Sequence, residues 1–226
     1  MVIQRHSGRA SSLTEGGRRQ RRREETSERI FTAAVGLFSR QGFAQTTVEE
    51  ITRAADVGKG TFFNYFPSKE HVLGFLVSRQ FGIIESHWEQ ARQDRVHVRE
   101  ILLSLASALT RVPTRSPQLA RSLMLAFLGN IEIRKYMARE MRLGRAQIAG
   151  IIALGQKRDQ LRADLSALEL ARVFQRALFG TVLLWAIDPA VPVARQLAAT
   201  MQMLFSGMEC VPGGKPRPTR SAKEAR

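Results

Sequence analysis

The sequence predicts an all-α fold of about nine helices, with a small N-terminal domain followed by a larger C-terminal one. Apolar residues recur with helical spacing over most of the chain, and no stretch of any length alternates like a strand. Glycines and prolines interrupt these periodic segments where helices are expected to end. With 226 residues and 44% hydrophobic composition, the chain is long enough for one large or two modest cores.

The first helix is predicted over about 27–41, after a disordered basic arm at 1–25. The arm is rich in arginine, glycine and serine, and it contains seven arginines against three glutamates. In the helix, apolar side chains from Ile30 to Phe38 form an inner face, and Gly42 is placed to end it.

A short second helix is predicted to begin at Thr46 or Thr47. Both are good N-cap residues, and each has a glutamate three positions later, which is the spacing of a capping box. Val48, Ile51 and Ala55 then recur at i, i+3 and i+7, the apolar stripe of a short helix.

A turn and a third short helix follow. Gly58 is free to adopt a turn conformation or to cap the next helix. That helix is predicted over 59–65, and Pro67 ends it because proline cannot continue a helical ladder. Ser68 is placed to cap a fourth helix, which opens with Lys69.

Residues 42–73 carry the pattern G-F-x-x-T-T-V-x-x-I-x-x-A-A-x-V-G-x-G-T-F-F-x-Y-F-x-S-K-E, which resembles the DNA-binding domain of the tetracycline-repressor (TetR) family. The match extends back through the first helix and covers roughly a quarter of the chain. The resemblance implies a helix-turn-helix domain at 26–73 and a helical effector-binding and dimerisation domain at 74–210. The tail at 211–226 is rich in proline and charge, so it is expected to be disordered.

The resemblance also implies which residues hold the DNA backbone. Thr47, Tyr65 and Lys69 are expected to hold phosphates, and the neighbouring Thr46 is also expected to contact DNA. Phosphate contacts of this kind position a protein on the duplex without reading its sequence.

The helix at 59–65 is the expected recognition helix. Lys59, Thr61 and Asn64 are expected to face base edges in the major groove, which is wide enough to admit a helix. Gly60 lies in the first turn, where a missing side chain lets the backbone approach DNA closely. Phe63 stands where the family often has tyrosine, so a hydroxyl contact to phosphate is not available there.

The chain is strongly basic, but its charge is unevenly distributed. A formal net charge of +15 favours a polyanionic partner. Residues 26–73 carry five basic and five acidic side chains, so DNA contacts there depend on a few placed groups, helped by the tails. The five arginines within 18–23 form either a solvated tail or an arm that enters the minor groove.

Five further helices are predicted after the one that begins at Lys69 and runs to about residue 92. Gly129, Gly155 and the Val-Pro and Asp-Pro pairs supply their stops. The predicted spans are about 96–111, 117–128, 133–154, 166–187 and 192–208.

The eighth helix is apolar around more than one face, and the ninth has a similar surplus. Such a helix needs partners on both sides, either as a fully buried helix of one monomer or at an interface. As the resemblance also implies, we expect a homodimer with a four-helix interface built from these two helices. The expected interface residues are Phe174, Leu178, Val182, Leu197, Met201 and Leu204.

The middle helices carry more apolar side chains than a thin helical layer requires. Small-molecule sites are concave apolar spaces with a few polar groups, so we expect an effector pocket for an apolar or amphipathic molecule. Arg121 and Asn130 are the candidate polar groups, although Arg121 also fits plain solvent exposure. The expected lining is Leu105, Leu109, Arg121, Met124, Phe127, Leu128, Asn130 and Trp185, with Leu102, Leu123 and Ile148 pointing into the same interior.

The sequence gives no indication of catalysis, of a cofactor or of a metal site. The segment 57–61 lacks the features of a phosphate loop, and the four histidines have no ligand-like spacing. Cys210 is the single cysteine, and neither a signal peptide nor a transmembrane run is evident, so a soluble cytoplasmic protein is expected.

The resulting expectation is a homodimeric transcriptional repressor that binds a near-palindromic DNA operator and is released by a small ligand. One alternative is a non-specific, nucleoid-type DNA binder, for which affinity would hardly depend on DNA sequence. The other is an α-helical enzyme or lipid carrier, for which turnover or co-purified lipid would appear without DNA binding.

Overall fold

The computed structural model of the chain describes residues 9–129 and 131–208, with side chains from residue 18 onward. This part of the chain forms nine α-helices and no strand, which confirms the all-α prediction. Cys210 and the predicted tail at 211–226 lie outside it. The helices are α1 (Arg9–Gln41), α2 (Val48–Ala54), α3 (Lys59–Tyr65), α4 (Lys69–Arg92), α5 (Val98–Thr110), α6 (Pro117–Gly129), α7 (Ile131–Lys157), α8 (Ala167–Ile187) and α9 (Val193–Met208), with a 3-10 turn at Pro113–Arg115.

The chain divides into two compact units, Met1–Val72 and Leu73–Arg226, and the division falls within α4. We refer to them as the N-terminal unit and the C-terminal unit.

The first helix is longer than expected. It begins at Arg9, so the prediction of disorder over 1–25 is wrong from that residue on, while residues 1–8 lie outside the described part. Arginine, glutamine and glutamate are good helix formers, and Arg21 pairs with Glu25 one turn later at 3.1 Å. The basic segment is therefore a helical continuation of the first core helix.

The core of the N-terminal unit is built around aromatic side chains. Phe38 of α1 and Phe62 of α3 have no exposed surface, and Phe66 is 4% exposed, so all three are core residues. Ile30 and Ile51 are also fully buried. This core fixes the buried sides of α2 and α3 and leaves their other sides exposed.

The C-terminal unit is built from longer helices that approach closely at glycines. A methyl group on Gly144 of α7 would lie 3.2 Å from the Ile84 side chain of α4, and one on Gly150 would lie 2.7 Å from the Trp88 ring. At Gly150 a methyl group would force the Trp88 ring to move, so the glycine there lets α7 pack closely against α4.

α8 is, among the described residues, the helix that is long and apolar enough to cross a membrane by length and composition. Its most apolar window is 44% buried inside the unit, and it starts with a capping box between Ser166 and Glu169. Arg172 and Arg176 are exposed on its surface. We interpret α8 as a core helix with an additional apolar outer face, because its buried side belongs to the main core.

Candidate nucleic-acid interface and ligand cavity

The start of α2 is fixed by the predicted capping box. Thr47 Oγ1 accepts a hydrogen bond from the Glu50 backbone N–H at 3.2 Å, and the Glu50 carboxylate accepts one from the Thr47 N–H at 2.8 Å. The Thr47 N–H and the Gln41 amide, which donates at 3.1 Å, lower the pKa of the Glu50 carboxyl group. Thr47 itself is exposed, so a phosphate contact by this residue stays a prediction.

Thr46 has a structural role instead of the predicted DNA contact. Its side chain is 1% exposed, and its hydroxyl donates to the Gly42 carbonyl oxygen at 2.7 Å. Gly42 has a φ of 83°, a left-handed conformation that glycine adopts without strain. Thr46 therefore closes the turn between α1 and α2, and its prediction as a DNA-contacting residue is wrong.

Lys69 is engaged with the same turn. Its ammonium group donates to the carbonyl oxygens of Phe43 at 2.9 Å and Thr46 at 3.0 Å, and lies 4.4 Å from the Phe43 ring centroid. This geometry directs the charge of Lys69 toward the protein backbone. The phosphate contact expected of Lys69 stays a prediction, and the structure supports a different role, which is to hold the first turn of α4 against the α1–α2 turn.

α3 presents the expected recognition surface. Its backbone is capped at the start by Gly58 and at the end by Phe66, and Phe62 is its fully buried residue. Thr61 and Tyr65 are half-buried and the remaining side chains are exposed. The residues predicted for DNA contact that lie together on this helix are Lys59, Gly60, Thr61, Phe63, Asn64 and Tyr65.

Gly60 has no packing role in the protein, and Phe63 stays largely exposed although its ring packs edge to face on Phe62, with 5.4 Å between the ring centroids. No protein atom lies within 4 Å of the position that a Cβ would occupy on Gly60, so the protein's own packing does not require glycine there. Phe63 is 52% exposed although it is a large aromatic residue. An absent side chain and an exposed aromatic ring on one face are both consistent with a surface that meets another molecule.

Lys59 forms an ion pair with Glu49 of α2, and both side chains are more than half exposed. The hydrogen bond from Lys59 is the main reason that the pKa of Glu49 is lowered. Without DNA, the positive charge of Lys59 at the start of α3 is therefore neutralised by Glu49. Lys59 can contact a base only after this ion pair breaks.

A groove runs beside α3 along the N-terminal half of α1. Arg23 places its guanidinium 5.8 Å from the ring centroid of Tyr65. Sequence reasoning missed this groove because it assigned the arginines to a disordered arm. The available signal was the abundance of helix-forming arginine, glutamine and glutamate just before the first core helix. The lining, which we call the arginine groove, consists of Arg19, Arg22, Arg23 and Thr26 of α1 with Thr61, Asn64 and Tyr65 of α3.

The C-terminal unit contains an apolar cavity of about 130 Å³. Of the predicted pocket residues, Leu109, Met124 and Phe127 line it, as do Leu123 and Ile148 from the wider predicted set. The cavity thus brings together residues of α5, α6 and α7 that are far apart in sequence.

The other predicted pocket residues lie elsewhere. Leu105 is fully buried in the main core, and Trp185 belongs to a separate small cluster, so neither forms the cavity wall. Leu128 is 71% exposed, and the exposed Arg121 donates to the carbonyl oxygen of its own helix at Pro117. Asn130 lies outside the described residues. Apolar periodicity identifies a buried face, but it does not separate a packed core from a cavity wall.

Sequence reasoning missed the α4 wall of the cavity and, apart from Ile148, the α7 wall. The signal on α4 was an apolar stripe with helical spacing, and on α7 it was a pair of methionines one turn apart. The lining side chains that were missed on these two helices are Leu76, Val77, Gln80, Phe81, Ile84, Met137, Glu140 and Met141.

A basic depression adjoins the cavity. It is lined by Arg145, Arg172 and Arg176 and shares Met141, Gln175 and Phe179 with the cavity wall. The Arg145 guanidinium donates to the Gln175 side-chain oxygen at 2.9 Å, which fixes one arginine at the shared edge. An apolar space and a cationic surface therefore meet at the same residues.

The predicted dimer-interface residues are mostly buried inside one subunit. Phe174, Leu178, Val182 and Met201 are less than 8% exposed within one subunit, so little of their surface is left for a partner, and their place at an interface stays a prediction. Leu178 and Val182 also line the cavity. The half-buried Leu197 and Leu204 pack against the main core.

α8 and α9 nevertheless keep an apolar outer face. Val173, Leu184 and Ile187 of α8 are 45%, 65% and 67% exposed, and Met203 of α9 is 77% exposed. On α8 they recur with Gly180 at spacings of seven, four and three residues, which keeps them on one side of the helix. We call Val173, Gly180, Leu184, Ile187 and Met203 the outer face.

Comparison with known proteins gives one match to the N-terminal unit and others that extend further along the chain. Residues 30–74 match the sequence model of a family described as bacterial regulatory proteins, tetR family. The structure of FadR from Thermus thermophilus, described as a TetR-family transcriptional repressor in complex with lauroyl-CoA, is 31% identical with a TM-score of 0.61. The similarity covers 85% of this chain and 98% of that one.

Two further relatives extend the comparison. FadR from Bacillus subtilis in complex with stearoyl-CoA has a TM-score of 0.64 over 80% of this chain and 98% of that one; at 22% identity it shows the fold alone. The transcriptional repressor KstR from Rhodococcus jostii is 29% identical over 119 residues, which are 52% of this chain and 56% of that protein. The chain thus spans about half the length of the curated repressors that it matches.

Proposed function

Because the chain belongs to the TetR family of bacterial regulatory proteins, we propose that it is a homodimeric, cytoplasmic transcriptional repressor that an amphipathic ligand releases from its operator. The observation that carries the proposal is α3, a short helix with one fully buried residue, Phe62, whose other side chains are exposed or half-buried.

The DNA contact is built from two kinds of residue. α3 enters the major groove, where Asn64 and Thr61 form hydrogen bonds with base edges. Lys59 also contacts a base edge once its ion pair with Glu49 is broken. Tyr65 at the end of α3 and Thr47 at the start of α2 contact phosphates on either side. The absence of a side chain at Gly60 lets the helix backbone lie close to the DNA.

The second copy of the chain docks on the outer face. Apolar residues that are exposed in one subunit become buried when α8 and α9 pack against the same helices of a second subunit. Two-fold symmetry then predicts a near-palindromic operator with half-sites about one helical turn apart.

The ligand is proposed to be a long-chain acyl-CoA. The apolar cavity suits an acyl chain, and Arg145, Arg172 and Arg176 supply positive charge for a phosphate-bearing head group at the adjoining surface. The ligands named for the two FadR structures, lauroyl-CoA and stearoyl-CoA, combine these two parts. A cavity of about 130 Å³ is smaller than the ~150 Å³ that holds benzene, so an acyl chain must separate the cavity walls.

Release follows from this separation. Val77 and Phe81 of α4 form part of the cavity wall, and the same continuous helix begins at Lys69. When the wall moves, the first turn of α4 moves with it and displaces the Lys69 ammonium from the carbonyl oxygens of Phe43 and Thr46. The ligand thereby favours a state with lower operator affinity, by an amount equal to its differential affinity for the two states.

The test is a selection of random duplex DNA by the full-length protein, followed by release of the selected DNA. We expect a near-palindromic consensus, and release by lauroyl-CoA or stearoyl-CoA but not by free CoA. Affinity that hardly depends on DNA sequence would contradict the repressor and support a non-specific DNA binder. Selection without release by either thioester would leave a repressor and refute the proposed ligand.

A further inference from the structure

We propose that the N-terminal half of α1 is a second DNA-binding element, which holds the sugar-phosphate strand that borders the major groove occupied by α3. The inference rests on the proposed function for the placement of α3 in that groove. It adds a binding site, the arginine groove, and a ligand class, the phosphodiester backbone.

The positions of the arginines on α1 are the first observation. Arg19, Arg22, Arg23 and Thr26 recur at i, i+3, i+4 and i+7, so they lie on one face of the helix, and that face lines the groove. Each step of three or four residues separates the side chains by ~5 Å along the helix axis. The arginines thus form a row of charges that runs along the groove.

The charge of the groove is the second observation. Its lining contains three arginines and no carboxylate. The Glu25 carboxylate pairs with Arg21, and the Glu24 carboxylate accepts a hydrogen bond from Gln20 at 2.7 Å, none of which lines the groove. A groove with this charge suits a linear polyanion, and arginine binds phosphate through two parallel hydrogen bonds.

The opposite wall of the groove is the third observation. It is formed by Thr61, Asn64 and Tyr65, which are residues proposed above to touch bases and phosphates. A strand in the groove therefore contacts α1 and α3 at the same time. Arg23 lies against the Tyr65 ring, which holds the two helices side by side.

A helical element acts differently from a flexible arm. Because α1 continues into the fully buried Ile30 and Phe38, the position of the arginine row is fixed by the core of the N-terminal unit. The backbone that carries the arginines is then placed before DNA binds, so the conformational entropy lost when the strand is held is that of the arginine side chains alone.

The experiment compares two variants with the same change in charge. Arg19→Gln/Arg22→Gln removes two groove arginines, and Arg18→Gln/Arg21→Gln removes two arginines that do not line the groove. Glutamine keeps helix propensity, and circular dichroism checks that α1 is intact. Binding of the full-length variants to the selected DNA and to a scrambled duplex is measured between 50 and 300 mM salt, about the range where the electrostatic contribution changes steeply.

We expect the groove variant to lose affinity for both duplexes by on the order of tenfold or more per reading head at physiological salt. Its slope of log affinity against log salt should fall by about two units per reading head, since each lost phosphate contact removes about 0.9. The control variant should change the slope by less than about half a unit.

Equal losses in both variants would overturn the inference, because they would indicate a long-range effect of net charge. Unchanged affinity in the groove variant would also overturn it; if Asn64→Ala then still alters base preference, the proposed repressor function stands. If the wild-type chain showed no preference for any DNA sequence, the proposed repressor function would be refuted. The arginine groove would still be supported if only the groove variant lost affinity for scrambled DNA.

Discussion

The N-terminal and C-terminal units both have apolar cores, but the parts of each unit that bear on function are positioned by different contacts. In the N-terminal unit, the α1–α2 turn and the start of α2 are fixed by hydrogen bonds with defined directions, made by Thr46, Glu50 and Lys69. In the C-terminal unit, α4 and α7 are placed by close apolar contacts at Gly144 and Gly150 beside a cavity. A cavity leaves the helices around it room to move. We therefore expect the adaptable part of the molecule to lie in the C-terminal unit.

The largest expected effect comes from the outer face, where apolar contact is proposed to join two subunits. Leu184→Arg with Ile187→Arg should produce monomers, because charge would be buried at the interface, and should lower operator affinity at least about 100-fold. Sedimentation and DNA titration measure the two effects. Leu168→Arg, on an exposed leucine of the same helix that lies away from the outer face, is the control and should leave the dimer intact. A variant that stays dimeric would show that another surface joins the subunits.

Loss of the directional bonds at Lys69 tests the N-terminal side of the comparison. Lys69→Met keeps the aliphatic part but removes the hydrogen bonds to Phe43 and Thr46, so unfolding in urea should cost about 2–3 kcal/mol less. Lys135→Met, at an exposed ion pair, should change stability by less than about 1 kcal/mol. If the two variants are equally stable, Lys69 is free to act as a phosphate contact alone.

The glycine contacts test the C-terminal side. Gly150→Ala should destabilise the protein by about 1–3 kcal/mol, because the added methyl group would meet the Trp88 ring at 2.7 Å. Gly82→Ala on α4 has open space around the new Cβ and should be neutral or stabilising by up to ~1 kcal/mol. Chemical denaturation compares the pair. Equal stability of both variants would mean that α4 and α7 can separate without cost.

Gly60→Ala should affect DNA binding without affecting the fold. Alanine is a better helix former and meets no protein atom, so stability should rise slightly or stay constant. Operator affinity should fall roughly tenfold, because the methyl group keeps the α3 backbone away from the DNA; that corresponds to about 1.4 kcal/mol. Unchanged affinity would indicate that α3 does not approach DNA at its first turn.

The smallest expected effect concerns the Glu49–Lys59 ion pair. Glu49→Gln should raise DNA affinity about two- to threefold, because the ion pair between Lys59 and Glu49 no longer has to break when Lys59 contacts DNA. Since Lys59 lowers the pKa of Glu49, the pair persists through neutral pH and is lost as pH falls through that lowered pKa. The difference between wild type and variant should therefore vanish in acid. Titrations across pH measure it, and a constant difference would exclude the ion pair as its cause.

The sequence predicted the helices well because their ends depend on neighbouring residues. The capping box at Thr47 and Glu50, the cap at Gly58 and the stop before Pro67 all act within four positions, so they are visible in the sequence. The same local information explains why α2 and α3 were placed at nearly their observed bounds.

Side-chain roles that depend on distant residues were not predictable in the same way. Thr46 and Thr47 have the same chemistry, but only the packing of the turn buries the first. Leu178 and Val182 were expected at an interface and also line the cavity, which was not predicted because the direction of an apolar face depends on neighbouring helices. The disorder expected at the N-terminus was wrong because composition alone does not reveal that a helix continues from a folded core.

The small resting volume of the cavity also sets the timing of the response. A ligand larger than about 130 Å³ enters only when the helices around the cavity have moved apart, so its association is slower than diffusion allows. Departure of the proposed acyl ligand requires the same opening. We therefore expect the proposed regulator to respond to sustained levels of its ligand more than to brief fluctuations.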